Sequence, residues 1–109
     1  MARSFVAGNW KMNNSLDEAT SLAQAVRDGM DNLSSLIEGV ECVLCPPFTS
    51  LSCVSSLLEG TSIKLGAQNM HFEEKGAFTG EISSLMLRDM CQYVILGHSE
   101  RRHIFGESD

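Results

Sequence analysis

Between residues 15 and 33 the apolar positions are Leu16, Ala19, Leu22, Ala23, Val26, Met30 and Leu33. Spacings of three and four lay these side chains along one stripe of a helix. Ser15 and Glu18 form the S-x-x-E pattern of a capping box, which closes that helix's first turn. On either side the pattern changes to short strand-like stretches, at residues 4–9, ending in Gly8-Asn9, and at residues 40–44, ending in Pro46-Pro47. Thr49 is placed to cap a second helix carrying Leu51, Val54, Leu57 and Leu58, which Glu59-Gly60 stops.

A third strand follows at residues 63–67. After it runs a glycine-punctuated segment, residues 68–81, in which Gly76 and Gly80 bracket Ala77-Phe78-Thr79. It is longer than ordinary connections, and such loops are usually functional or disordered. Ser83 is placed to cap a short third helix with Leu85, Met86 and Met90. Residues 92–96 are nearly all apolar, as expected of a strand covered on both faces. Gly97 closes that strand, and residues 98–102 resemble the first turn of a helix.

The predicted order is βαβαβαβ plus a helical start, which implies parallel strands joined by right-handed crossovers. An open doubly wound sheet and part of a barrel both fit this order. In either, ligands bind at the carboxyl edge of the strands. The polar residues gather there: Asn9 and Lys11, Gln68 and Asn69, His98 and Glu100. That distribution points to an enzyme site.

The chain has 109 residues, 43% of them hydrophobic, so it is neither disordered nor collagen-like. Area scaling gives roughly 17,000 Å² for the unfolded chain and roughly 6,000 Å² for a compact one, enough for one core and not two. Lys and Arg total 8 against 14 Asp and Glu, a net charge of −6, which argues against binding nucleic acid through phosphates. No signal-peptide core follows Met1, and no apolar run approaches the ~20 residues of a membrane helix, so a cytoplasmic location is expected. The N-x-[ST] matches at Asn13 and Asn32 then carry no glycan.

Cys42 and Cys45 match C-x-x-C, but on a strand residues three apart point to opposite faces. Cys53 and Cys91 supply no second pair with zinc-site spacing, and the four thiols read as small buried groups. There is no phosphate loop, no G-x-G-x-x-G after the first strand, and no G-x-S-x-G elbow around Ser99. His71 and His103 read as surface groups, Arg101-Arg102 as an intramolecular ion-pairing couple, and the six methionines as core filler. Taken singly, Lys11 is a solvated charge and His98 a turn residue.

Their surroundings give them more specific roles. Ala7-Gly8-Asn9-Trp10-Lys11-Met12-Asn13 resembles the N-terminal signature of the triosephosphate isomerase family. Gly66-Ala67-Gln68-Asn69, and then Gly76-Ala77-Phe78-Thr79-Gly80-Glu81-Ile82-Ser83, resemble that family's third strand and dimerisation loop. Tyr93-Val94-Ile95-Leu96-Gly97-His98-Ser99-Glu100-Arg101-Arg102 resembles its fourth strand and electrophile turn. Phe105-Gly106-Glu107-Ser108-Asp109 resembles the family's segment just beyond that turn.

The resemblance implies interconversion of dihydroxyacetone phosphate and glyceraldehyde 3-phosphate through an enediolate, in glycolysis and gluconeogenesis, without cofactor or metal. Carried over by motif, His98 is the electrophile that polarises the carbonyl and moves protons between the two oxygens. In that family the helix N-terminus holds the imidazole neutral, a standard worked example of pKa tuning. Lys11 is the cation facing the phosphate and the developing enediolate. Asn9 is its substrate-binding neighbour, on the same face if residues 9–11 are extended. Glu100 and Ser99 are supporting residues of the electrophile turn. Thr79, with Phe78 and Gly76, belongs to the loop that enters the partner subunit of a homodimer.

A complete (β/α)8 barrel takes eight strands and about 250 residues. The resemblance therefore implies a single incomplete domain over residues 1–109, the first four strands and helices of a TIM barrel. The family's general base, a glutamate beyond the sixth strand, has no counterpart in these residues, and the 109-residue chain alone is expected to be inactive. Two other readings fit the elements: a noncatalytic four-strand α/β anion-binding domain, and a half barrel that assembles with itself.

Overall fold

The computed structural model describes residues 4–33, 39–98 and 101. Four strands, β1 (Ser4–Asn9), β2 (Val40–Cys45), β3 (Lys64–Ala67) and β4 (Tyr93–Val94), lie side by side in the order β1-β2-β3-β4. All three pairings are parallel. Sequential order removes the doubly wound alternative, which needs a reversal of strand order. The helices are α1 (Leu16–Asn32), α2 (Leu51–Leu58) and the single turn α3 (Ser84–Leu87).

The register pairs Phe5 with Glu41, Val43 with Lys64, and Gly66 with Tyr93. Because side chains alternate along each strand, these residues share one face. On that face the Phe5 and Tyr93 rings meet edge to face with centroids 5.2 Å apart. In a flat sheet the first and fourth strands would stand roughly 14 Å apart. The sheet is therefore curled with this face concave, as in half of a barrel. The Tyr93 hydroxyl also donates to Glu41 on β2. Crowding on the concave side explains Gly66: a Cβ there would lie 2.8 Å from Cys45 Sγ and 3.3 Å from Val43 Cγ1.

The convex face carries the main core. Leu44, Leu65 and Ala67 pack against Ala19 and Ala23 of α1, Leu51, Val54 and Leu58 of α2, and Leu87 of α3. Each fully buried Leu or Val contributes about 1.5–3 kcal/mol. Small side chains at 19 and 23, both at 0% exposure, let α1 approach closely. Arg27 Nη1 donates to the Leu57 carbonyl (2.9 Å), and Thr20 Oγ1 meets Cys53 Sγ (3.3 Å), tying α1 to α2. The capping box forms as predicted: Ser15 N–H donates to Glu18 Oε1 (2.9 Å) and Glu18 N–H to Ser15 Oγ (3.3 Å).

Several boundaries differ from the sequence expectation. Thr49 does not cap α2; it sits inside a 3₁₀ turn, Phe48–Ser50, which Pro47 opens by accepting the Ser50 N–H (3.0 Å). Ser50 then precedes α2 without a side-chain cap. Ser83 stands at the start of α3, but its hydroxyl makes no cap bond. β4 is shorter than predicted at both ends, and just before it Gln92 acts as a clamp on β3. Its N–H donates to the Leu65 carbonyl (2.9 Å) while its Oε1 accepts the Leu65 N–H (3.0 Å). Nor is the fourth strand covered on both faces, since Tyr93 is 36% and Leu96 59% exposed. In α1, Leu16 and Leu22 are likewise exposed, as is Leu33 just past its end, and the buried stripe narrows to the two alanines.

Candidate active site

β1 stops at Asn9, and the chain then turns sharply. The Asn9 carboxamide oxygen accepts the Lys11 N–H at 2.9 Å, a local side-chain turn that Asn readily makes. Lys11 itself lies in the left-handed region, with φ +55°. The expectation that residues 9 and 11 share one face of an extended segment is therefore corrected: the side chain of Asn9 folds back and the strand geometry ends. A non-glycine residue held there stores about 1–3 kcal/mol of strain and persists only when its surroundings over-determine it.

Those surroundings are specific. Gln68, just past β3, donates from Nε2 to the Lys11 carbonyl (2.7 Å) and to the Cys45 carbonyl at the end of β2 (3.0 Å). The Cys45 carbonyl also accepts the Trp10 N–H (3.1 Å), and Asn13 Nδ2 donates to the Trp10 carbonyl (2.8 Å). One carboxamide thus joins the carboxyl ends of three neighbouring strands around Lys11. In the sequence Gln68 stands out as a polar residue at a strand end within the G-A-Q-N run that closes β3, and neither signal assigns it a role.

Because all four strands are parallel, His98 reaches this same edge of the sheet from β4. Gly97, with φ +69°, makes the turn that delivers it. Its Nε2 is buried and has no hydrogen-bond partner among the described residues. A buried polar nitrogen without a partner costs about 1–3 kcal/mol, and in native proteins such atoms usually mark a place that a ligand or water completes. Ser99 and Glu100 lie outside the described residues, as do His103 and Arg102; Arg101 is half-buried and helical.

The loop after β3 folds back on itself. His71 N–H donates to the Ile82 carbonyl (2.7 Å), and Glu81 N–H to the Phe78 carbonyl (2.9 Å). His71 is not the surface group expected: its side chain is 16% exposed, with Glu81 Oε2 3.8 Å from Nδ1. The imidazole lies against Phe72 (centroids 4.5 Å apart) and Phe78 (4.3 Å). Gly76 is required by this packing, since at φ +144° a Cβ would stand 2.6 Å from the Phe78 ring. Thr79 is exposed at the tip.

Cys42 and Cys45 occupy β2 three residues apart, hence on opposite faces, and none of the four thiols is in a disulfide. Burial pushes the Cys91 thiol up to about 11, helped by the charge a Cys45 thiolate would add, and burial raises Cys45 as well. Among the described residues no three His, Cys, Asp or Glu side chains are placed to hold a metal ion. Among the same residues no helix is long and apolar enough to cross a membrane.

Comparison with known proteins gives the family of the chain. A family model described as triosephosphate isomerase matches residues 4–109. The triosephosphate isomerase of Dehalococcoides mccartyi is 55% identical over 108 residues, covering 99% of this chain and 41% of that protein. Those of Aquifex aeolicus and Carboxydothermus hydrogenoformans are 51% and 52% identical, each with 42% of its length covered. A crystal structure of triosephosphate isomerase from Bartonella henselae superposes with a TM-score of 0.85 at 41% identity, over 98% of this chain and 43% of that one. The chain thus spans about two-fifths of the length of these relatives, with the strand order and curvature of the first half of their barrel. With its family match running almost end to end, this chain belongs to the triosephosphate isomerase family.

Proposed function

We propose that these residues supply the electrophile and cation of a triosephosphate isomerase site, acting on dihydroxyacetone phosphate and glyceraldehyde 3-phosphate. Removing a proton next to the carbonyl leaves negative charge on the oxygen, and that charge needs fixed donors. His98 Nε2 is the donor to the carbonyl and then the shuttle between the two oxygens. The Lys11 ammonium faces the phosphate and the enediolate. With its Oδ1 engaged by Lys11 N–H, Asn9 has only Nδ2 to offer an anionic ligand, a donor suited to a phosphate or enediolate oxygen. Ser99 and Glu100 support the turn. The observation that carries this reading is the buried His98 Nε2, without a hydrogen-bond partner among the described residues, at the strand edge that also bears Lys11.

The loop carrying Gly76, Phe78 and Thr79 serves a homodimer, its exposed tip meeting the partner's site in a cytoplasmic enzyme. Residues 1–109 form one domain, the first half of the barrel. They contain no counterpart of the family's base, so a polypeptide of these residues alone binds a triose phosphate weakly at best and does not isomerise it. Coupling product formation to a dehydrogenase tests the second claim; turnover near that of a complete relative overturns it. Titrating the chain with glycerol 3-phosphate while following the His98 ring signals by NMR tests the first. Ring signals unmoved at saturating phosphate ester would refute the assignment of His98.

A further inference from the structure

Both backbone hydrogen-bonding groups of Lys11 are held by side chains. Asn9 Oδ1 takes its N–H (2.9 Å) and Gln68 Nε2 reaches its carbonyl (2.7 Å). The first contact is local and would form in any short turn. The second spans from β1 to β3 and is anchored, because the same Nε2 donates to the Cys45 carbonyl at the end of β2 (3.0 Å). Lys11 meanwhile sits at φ +55°, where a lysine does not stay unaided. A relaxed φ would swing the Cα–Cβ bond, and the ammonium on its four-carbon stem would sweep away from the strand edge.

We infer that Gln68 is a positioning residue: its carboxamide locks the left-handed backbone of Lys11 and so aims the ammonium at the ligand's anionic oxygens. Two donor hydrogens on one nitrogen meet two carbonyls, an arrangement that a carboxamide of this length provides without bringing a charge. Glutamate is nearly the same shape but presents acceptors to both carbonyls at neutral pH. Protonated, it regains one donor. Facing two carbonyl oxygens, its carboxyl is held neutral to higher pH than usual. The inference rests on the proposed role of Lys11, and the test separates the two.

Glycerol 3-phosphate is the probe, with Gln68→Met, Gln68→Glu and Lys11→Met compared with the parent chain. Backbone couplings and Cα shifts of Lys11 report its φ. At pH 8 both Gln68 variants are expected to lose the left-handed signature and bind the probe at least tenfold more weakly. At pH 5 Gln68→Glu should recover to within about threefold of the parent and Gln68→Met should not. Taking the ratio to the parent at each pH cancels the probe's own ionisation, which lies near pH 6. A left-handed Lys11 with unchanged affinity in both variants overturns the inference.

If Lys11→Met binds the probe as the parent does, the role assigned to Lys11 fails, whereas the Lys11 signature still judges the lock itself. Should both Gln68 variants lose their folded spectrum, the parent decides. Slow solvent exchange of the Gln68 Nε2 protons supports the lock, and exchange as fast as that of an exposed side-chain amide refutes it.

Discussion

Phe5 on the first strand and Tyr93 on the fourth touch edge to face, with ring centroids 5.2 Å apart, across the concave side of a four-stranded sheet. The contact exists only because the sheet curls, so it reports the curvature that brings the strand ends toward a common centre. Aromatic pairs of this geometry add about 0.5–1.5 kcal/mol beyond their burial. A double-mutant cycle of Phe5→Ala and Tyr93→Ala, measured by urea unfolding, is expected to return a coupling in that range. A coupling of zero would mean that the rings do not meet in solution.

Gly66 faces the same concavity. Its nearest neighbour would be Cys45 Sγ, 2.8 Å from an added Cβ. Gly66→Ala is expected to destabilise the chain by about 1–3 kcal/mol, the usual cost of overpacking. Adding Cys45→Ala removes the obstructing sulfur and should recover part of that loss. If the double variant is less stable than the sum of the two single changes, the clash is not the cause.

The Glu18 carboxylate is held below its ordinary value of 4.5 by hydrogen bonds from Ser15, the backbone N–H first and the hydroxyl contact second. A depressed folded-state pKa stabilises the fold above the unfolded value, and that contribution disappears as pH falls through the folded value. The helical circular-dichroism signal is therefore expected to weaken on acidification below about pH 4.5. Glu18→Gln should remove the part of this loss that belongs to α1. An identical acid transition in the variant would rule the capping box out as its origin.

Cys91 runs the other way. Its thiol is pushed up to about 11 from 9.0, first by burial and then by the nearby Cys45. The stabilisation is complete below the unfolded value and is lost as pH climbs from 9.0 toward about 11. Urea midpoints should fall over that window, and Cys91→Ala should flatten the fall. Alkylation of Cys91 by iodoacetamide at pH 8 should also lag behind a free thiol by at least tenfold, because the thiolate is the reactive form. Reaction at the free-thiol rate would place Cys91 in solvent.

Much of the fold is legible in the residue pattern, and the departures from it have physical causes. The capping box at Ser15 and Glu18 and the strand at residues 4–9 depend on local chemistry, which sequence displays directly. Parallel pairing comes through the crossover rules, and sequential strand order only through the family motifs. Thr49 misleads because a cap-forming residue type does not fix where the helix starts; the turn that Pro47 opens does, whereas Ser83 stands at the start of α3 as expected and lacks only the side-chain bond. His71 looks exposed in sequence because its shelter comes from Phe72 and Phe78 in a loop with no periodicity. Gln68 escapes assignment because its partners lie on two other strands, a relation that no local spacing encodes. The expectation that residues 9–11 are extended fails for the same reason, since the left-handed turn at Lys11 is imposed by Asn9 and Gln68.

That turn supports one more prediction, in which stability and ligand binding separate. At φ +55° any residue with a Cβ is strained by roughly 1–2 kcal/mol, whereas glycine is not, though glycine gives back about 0.5–1 kcal/mol in unfolded-chain entropy. Lys11→Gly and Lys11→Ala both delete the amine and its contacts, so their difference isolates the backbone. Lys11→Gly is expected to be the more stable of the two by up to about 1 kcal/mol in urea unfolding. Both should lose glycerol 3-phosphate binding to the same extent. An alanine variant clearly more stable than the glycine one would show that residue 11 is not left-handed in solution. The strain at Lys11 would then no longer mark a place where the fold gives up stability to hold a cation at the strand edge.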